Sequence, residues 1–144
     1  MLNASSERPF TFAFLLVDGF ALMSFASAIE PLRAANTIAE RELYRFICVS
    51  LDGGPATSSV GAQMPCQAKV GDAIDADILL VCVGGRPWDF QDRKTLGWIR
   101  QLSRRGVRIL GPVYGELASG EVGLGRMCEP SEIVEAIEDA AGKK

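Results

Sequence analysis

Residues 11–36 read TFAFLLVDGFALMSFASAIEPLRAAN. Every residue from 10 to 17 is apolar or β-compatible. Such a run is too short to cross a bilayer and rich enough to form a strand buried on both faces. Asp18-Gly19 interrupts it, and the spacing of apolar residues then changes to three- and four-residue steps at Leu22, Phe25, Ile29 and Leu32. That period puts one apolar stripe of a helix against a sheet and leaves Glu30 and Arg33 towards its flank.

The pattern of strand followed by helix continues. Residues 44–51 form a second strand, closed by the turn Asp52-Gly53-Gly54-Pro55, whose glycines permit positive φ. Residues 56–70 are polar, lack apolar periodicity and are broken by Gly61 and Pro65, which leaves a small hairpin across the sheet edge or a loop as the two readings. Residues 77–83, DILLVCV, read as an uninterrupted apolar strand and as the centre of the sheet. Within residues 88–105 a helix places Leu96, Ile99 and Leu102 on one face, with Asp89 or Asp92 to cap its start and Gly106 to end it. Residues 107–110 return as a strand stopped by Gly111-Pro112, and in the glycine-rich residues 114–125 any helix is short. A last helix spans residues 129–141, with Pro130 at its first position, Glu132 near the positive end of its dipole, and Ile133, Ile137 and Ala140 as its stripe. Alternating strands and helices imply an α/β fold: a doubly wound, mostly parallel sheet with helices on both faces.

A chain of 144 residues suits one domain, residues 1–144, with residues 1–9 as a loose leader. Hydrophobic content of 48% and charged content of 23% fit neither disorder nor a membrane protein. A net charge of −3 gives no footprint for nucleic acid, and the group Arg100, Arg104, Arg105 and Arg108 is what a helix end and the next strand produce for solvation alone. Ala26-Ser27-Ala28 has the small-x-small form of a signal cleavage site, but Arg8 beside Glu7 makes a poor positive leader, and the expected compartment is the cytoplasm. Cys48, Cys66, Cys82 and Cys128 are far apart, and the chain has no histidine, so no metal site is expected. Cys48 and Cys82 lie in apolar runs and read as small buried hydrophobes.

Asp18-Gly19-Phe20, the run from Glu30 to Asn36 (EPLRAAN), Tyr44, and Ser50-Leu51-Asp52-Gly53-Gly54 occur in an order that resembles the amidotransferase-like sensor domain of GlxA-like AraC-type regulators, in the ThiJ/PfpI superfamily. Ser59, Gly61 and residues 77–85 continue the likeness, which is good from about residue 12 to 112 and weak beyond. It implies a class I glutamine amidotransferase-like, flavodoxin-like fold, a small-molecule ligand, and a homodimer. The dimer would pack through the helix of residues 21–39, with Phe20, Met23 and an alanine-rich flank against a twin. Regulators of this kind continue into a helix-turn-helix pair. This sequence stops at Lys144 without a recognition helix, so DNA binding is not expected of it.

In open parallel sheets, ligands sit outside the carboxyl ends of the strands, where the strand order reverses. The loops that qualify are Asp18-Gly19-Phe20, Asp52-Gly53-Gly54, Gly84-Gly85-Arg86, and residues 111–115. The ligand-binding candidates are Asp18, Gly19, Gly84, Gly85, Arg86, Val113 and Tyr114. Paired glycines let amides approach a ligand oxygen, and Gly84-Gly85 also suits a plain tight turn. Trp88 lies next to the same crevice. By the resemblance, Val113 stands where the enzymes of this fold carry a cysteine on a sharp turn, and Ser24 where some relatives supply an acid. A valine cannot attack, and without histidine there is no Cys-His or Ser-His couple.

The expectation is therefore a non-catalytic small-molecule-sensing or regulatory domain with no cofactor. Its rivals are a ThiJ/PfpI-type cysteine enzyme (hydratase, amidase or glyoxalase) acting through Cys66 or Cys128, and a protein-interaction module using the glycine-rich residues 115–125.

Overall fold

A strand whose two faces are both apolar must be covered on both, and Phe10–Leu16 (β1) is such a strand, with every residue from Thr11 onward buried. The computed structural model describes residues 8–86, 89–111, 113–116, 122–126, 134–135 and 137–139. Along the chain follow α1 (Leu22–Ala39), β2 (Tyr44–Ser50), β3 (Ala56–Thr57), β4 (Gln63–Met64), β5 (Ala68–Lys69), β6 (Ile78–Cys82), α2 (Arg93–Arg104), β7 (Arg108–Leu110), β8 (Val113–Glu116) and β9 (Val122–Arg126). Five strands form one sheet in the order β5-β2-β1-β6-β7, and every neighbouring pair is parallel.

The centre is therefore β1, not residues 77–83 as their apolar run suggests. β6 has only β7 beyond it, whereas on the other side β2 is followed by β5, a two-residue strand too short to carry a periodic signal. β1 divides the core by alternation. Phe12, Phe14 and Leu16 join Phe25, Ala28 and Leu32 of α1 on one face. Ala13 and Leu15 join Trp98 and Leu102 of α2 on the other. Phe25 meets Phe14 and Phe20 edge-on, with ring centroids 5.4 and 5.8 Å away, the favoured aromatic geometry. Phe20 is fully buried there, so it is not available to pack on a twin as the sequence reading has it.

α2 starts at Asp92, whose Oδ2 accepts the Thr95 amide at 2.9 Å and also the Thr95 hydroxyl. Those bonds hold the Asp92 carboxyl below the ordinary value. They also fix the phase of the helix, so Thr95, Trp98 and Leu102 face inward while Leu96 and Ile99 are only half-buried. The Trp98 indole donates to the Asp72 carbonyl at 2.9 Å.

Two side-chain amides finish the outer edge of β2 where β5 does not reach. Asn36, the last residue of EPLRAAN, accepts from the Leu43 and Tyr44 amides at 2.8 and 2.9 Å and donates to the Tyr44 carbonyl at 2.7 Å. Gln67 accepts the Cys48 amide at 2.8 Å through its side-chain oxygen, and its backbone amide donates to the Cys48 carbonyl at 2.9 Å. Unpaired edge groups invite pairing with another chain, and these amides occupy two of the edge positions.

Residues 56–70 resolve the open choice as a minimal hairpin, β3 against β4, followed by the edge strand β5. Beyond β7 the described parts of the glycine-rich stretch, residues 113–116 and 122–126, are strands: β8 and β9 pair antiparallel, since a ladder needs only backbone groups. Of the last expected helix, residues 134–135 and 137–139 are helical and Ile137 packs on the α1 side of the core. Pro130, Glu132, Ile133 and Ala140 lie outside the described residues, as do Trp88 and Cys128. Among the described residues no helix is long and apolar enough to cross a membrane.

The two parts of EPLRAAN differ in weight. Glu30 and Arg33 form an exposed ion pair at 2.7 Å, worth a few tenths of a kcal/mol. Asn36→Ala strands backbone groups at a strand end, so urea unfolding should show a loss of about 2 kcal/mol, against less than about 0.5 kcal/mol for Arg33→Ala. Equal losses would contradict this assignment.

Candidate functional site: the carboxyl ends of β1, β2 and β6

β1 leaves the sheet through Val17, whose amide bonds the Cys82 carbonyl at 3.1 Å, and turns at Gly19 with φ of 86°. Asp18 and Gly19 then grip β3 from two sides. Asp18 Oδ1 accepts the Thr57 amide at 2.8 Å, and the Gly19 amide donates to the Thr57 carbonyl at 2.7 Å. Phe20 bridges Ser58 in parallel, and the Ser59 amide bonds the Phe20 carbonyl at 2.9 Å. The polar segment after β2 is thereby fastened across the end of β1.

β2 ends in a turn of its own. Ser50 Oγ accepts the Gly53 amide and Asp52 Oδ1 accepts the Gly54 amide, both at 2.9 Å. Between the two strand ends lies a cavity of about 130 Å³ lined by Leu16, Asp18, Ser50, Leu51, Asp52 and Pro55. The Cys66 thiol is close by: burial pushes its pKa up, hydrogen bonds from the Ala56 backbone and Ser50 pull it down, and the charges of Asp18 and Asp52 push it up again. The net direction is upward, so the thiol is protonated at neutral pH. Cys48, buried deeper, is pushed up to about 11, mainly by burial and further by Cys66. Neither is an activated nucleophile.

The strand order reverses between β1 and β6, since the chain goes from β1 to β2 and β5 on one side and returns to β6 on the other. Gly84, half-buried, meets the β1 loop there so closely that a Cβ on it would lie 1.9 Å from the Gly19 carbonyl oxygen. Its need for glycine is explained by this backbone approach. Gly85 is exposed with φ of 60°, and Arg86 pairs with Asp89 at 3.1 Å on the surface.

Asp18, Gly19, Gly84, Gly85 and Arg86 are thus gathered at the ends of β1 and β6, but of these only Asp18 lines the cavity. Val113 and Tyr114 fall in β8, and their side chains lie outside the described residues. Val113 begins a paired strand and not a sharp turn into a helix, which corrects the reading of residues 111–115 as a nucleophile-type bend. Ser24 is half-buried in the first turn of α1. The sequence reading did not single out Ser50 and Asp52 as site residues, though Asp52-Gly53-Gly54 directly after a strand is the signal that marks them. A larger cavity, about 390 Å³, opens at the opposite, amino end of β1 and β2 beside Arg8 and Arg45. Its arginines are bound to Asp77 and Glu42. Among the described residues no cluster of three or more His, Cys, Asp or Glu residues could hold a metal ion.

No protein-family model matches the chain. It is 42% identical over 123 residues to the HTH-type transcriptional regulator GlxA of Rhizobium meliloti, covering 85% of this chain and 38% of that protein. The chain is homologous to the GlxA-type regulators. Among solved structures, an AraC family transcriptional regulator from Pseudomonas putida superposes with a TM-score of 0.63 at 25% identity, over 72% of this chain and 64% of that one. A ThiJ/PfpI domain protein from Brachyspira murdochii superposes at 0.59 and 13% identity, over 73% of this chain and 59% of that one, and shows the shared fold. The GlxA-like chain therefore spans well under half the length of that curated relative.

The contact of Gly84 with Gly19 is backbone on side chain once a methyl group is added, and neither loop end is a flexible tip. Gly84→Ala should cost about 1–3 kcal/mol and lower Tm in calorimetry. Gly85→Ala, with open space around it, bears only the strain of its left-handed backbone and should cost less than Gly84→Ala. The reverse order would refute the close approach.

Proposed function

We propose that this chain is the non-catalytic sensing part of a GlxA-type regulator and binds a small molecule at the carboxyl ends of β1, β2 and β6. The observation that carries this reading is the cavity between Asp18 and Asp52. Each carboxylate holds a loop amide with Oδ1, and the other oxygen of each serves the ligand. Two carboxylates over Leu16 and Pro55 favour a small ligand with a cationic nitrogen and an apolar body. Gly85 and Arg86 flank the neighbouring loop. Catalysis by a cysteine has little support, because burial holds the half-buried Cys66 thiol protonated and the two nearby carboxylates oppose its thiolate further. The protein acts in the cytoplasm, without DNA contacts from these residues.

Thermal-shift titration against small amines, amino acids and betaines tests the reading. A ligand at a hundred times its Kd stabilises the fold by about 2.7 kcal/mol. Asp52→Asn and Asp18→Asn keep an amide oxygen for the turn, so they should retain the Tm of the free protein and weaken the ligand's shift. If no compound in the panel raises Tm, the sensing role fails.

The reading includes a homodimer through the outer face of α1. Met23 and Ile38 are 81% and 84% exposed, and the exposed Ser27 and Pro31 lie between them on the same side of the helix. In an antiparallel pairing Met23 of one copy meets Ile38 of the other, a self-complementary arrangement of the kind a two-fold axis requires. Light scattering should give twice the monomer mass, and Met23→Glu with Ile38→Glu should return the monomer. A monomer at every concentration of the unaltered chain would remove the dimer from the proposal.

A further inference from the structure

The Gln67 amide donates to the Cys48 carbonyl at 2.9 Å. Further along the same edge the partners are Val49 with Ala68 and Ser50 with Lys69, a register that puts Gln67 level with Cys48 and Cys66 one residue before it. With strands about 4.8 Å apart and a rise of about 3.3 Å per residue, residues one step out of register are about 6 Å apart, inside the Cα separation of about 4.4–6.8 Å that a disulfide spans. Cys48 belongs to the core cluster beneath α1 and Cys66 packs against that same cluster, so both side chains lie on one face of the sheet. The Cys66 thiol is half-buried and donates weakly to the Met64 carbonyl at 3.6 Å, while Cys48 is 5% exposed. One thiol is reachable from solvent and the other waits behind it.

We propose that Cys48 and Cys66 are a redox pair that closes to a reversible disulfide on exposure to hydrogen peroxide. The Cys66 thiolate attacks the peroxide, forming an S–O bond as the O–O bond breaks, and the departing oxygen leaves as water. The Cys48 thiolate then attacks the sulfur of that sulfenic acid, forming the S–S bond and expelling hydroxide, which leaves as water with the Cys48 proton. Two thiols are oxidised and one peroxide is reduced to two waters. Both thiols are held protonated by burial, so closure is slow at neutral pH and quickens as pH rises. The bond would tie the segment that carries β3 and β4 to the edge of β2, next to the cavity of Asp18 and Asp52.

Peptide mapping of the whole chain reads this directly. Cleavage after Arg45 and Lys69 gives one peptide, residues 46–69, that holds both cysteines, while Cys82 and Cys128 fall in other peptides. After hydrogen peroxide and then N-ethylmaleimide, residues 46–69 should carry no maleimide and be lighter than the reduced peptide by about 2 Da, the two hydrogens lost when the bond forms. Dithiothreitol should restore both thiols. Cys48→Ala should leave a Cys66 sulfenic acid that dimedone traps, and Cys66→Ser should leave Cys48 alkylated on unfolding. The proposal is overturned if both thiols of the unaltered peptide remain alkylatable, or if Cys66 instead links to another peptide or proceeds to sulfinic acid. These readouts do not depend on any ligand, so they stand or fall apart from the sensing role.

Discussion

The constraint on which the architecture turns is the double burial of β1. Its alternate residues supply the aromatic floor beneath α1 and the smaller Ala13 and Leu15 beneath α2, and it hydrogen-bonds β2 on one edge and β6 on the other. Each large side chain so buried contributes about 1.5–3 kcal/mol, and no position of β1 after Phe10 is left to solvent. A strand covered on four sides can release the chain only at its ends. At the carboxyl end it does so through Asp18-Gly19, which is why that dipeptide meets both the β6 loop and the segment returning from β2.

Elements with a strong period were legible in the sequence. β1, α1, β2, β6, α2 and β7 lie where the hydrophobic pattern places them, because a buried face dictates residue types at regular steps. Five short strands were not legible as strands. β3, β4 and β5 have two residues each, and their pairing comes from what they lie against: β5 exists because Val49 and Ser50 present an open edge. β8 carries one glycine and β9 two at alternate positions, a composition that says turn when taken residue by residue and is compatible with a ladder when two such stretches meet. The centre of the sheet was misread for a related reason. Apolar continuity measures burial on two faces and says nothing of how many strands lie on either side.

Site residues were legible in proportion to how local their geometry is. Asp18-Gly19 and Gly84-Gly85 announce turns after strands, and the structure brings them together at the strand-order reversal. What the sequence does not carry is that this meeting is a backbone contact that fills the crevice, displacing the open cavity one strand over to Ser50 and Asp52. Asn36 belongs to the same lesson. Within EPLRAAN the charged pair draws the eye, yet the uncharged amide makes three bonds to the start of β2 while Glu30 and Arg33 bond mainly each other on the surface.

The electrostatics of the cavity separate the two kinds of chemistry the fold supports. Burial raises the Cys66 pKa first, and the negative field of Asp18 and Asp52 adds to it, so the arrangement that suits a cationic ligand is the one that disfavours a thiolate. A cysteine enzyme needs the opposite, a positive or hydrogen-bond-donating surround. The same field would link a bound ligand to the redox state of the proposed pair. A cation bound between the carboxylates would cancel their effect on the thiol and ease its ionisation, and by reciprocity an ionised Cys66 would hold that cation more tightly. Closing the disulfide removes the ionisable thiol and with it this coupling. Binding at Asp18 and Asp52 and oxidation at Cys66 would then be two readings of one local potential.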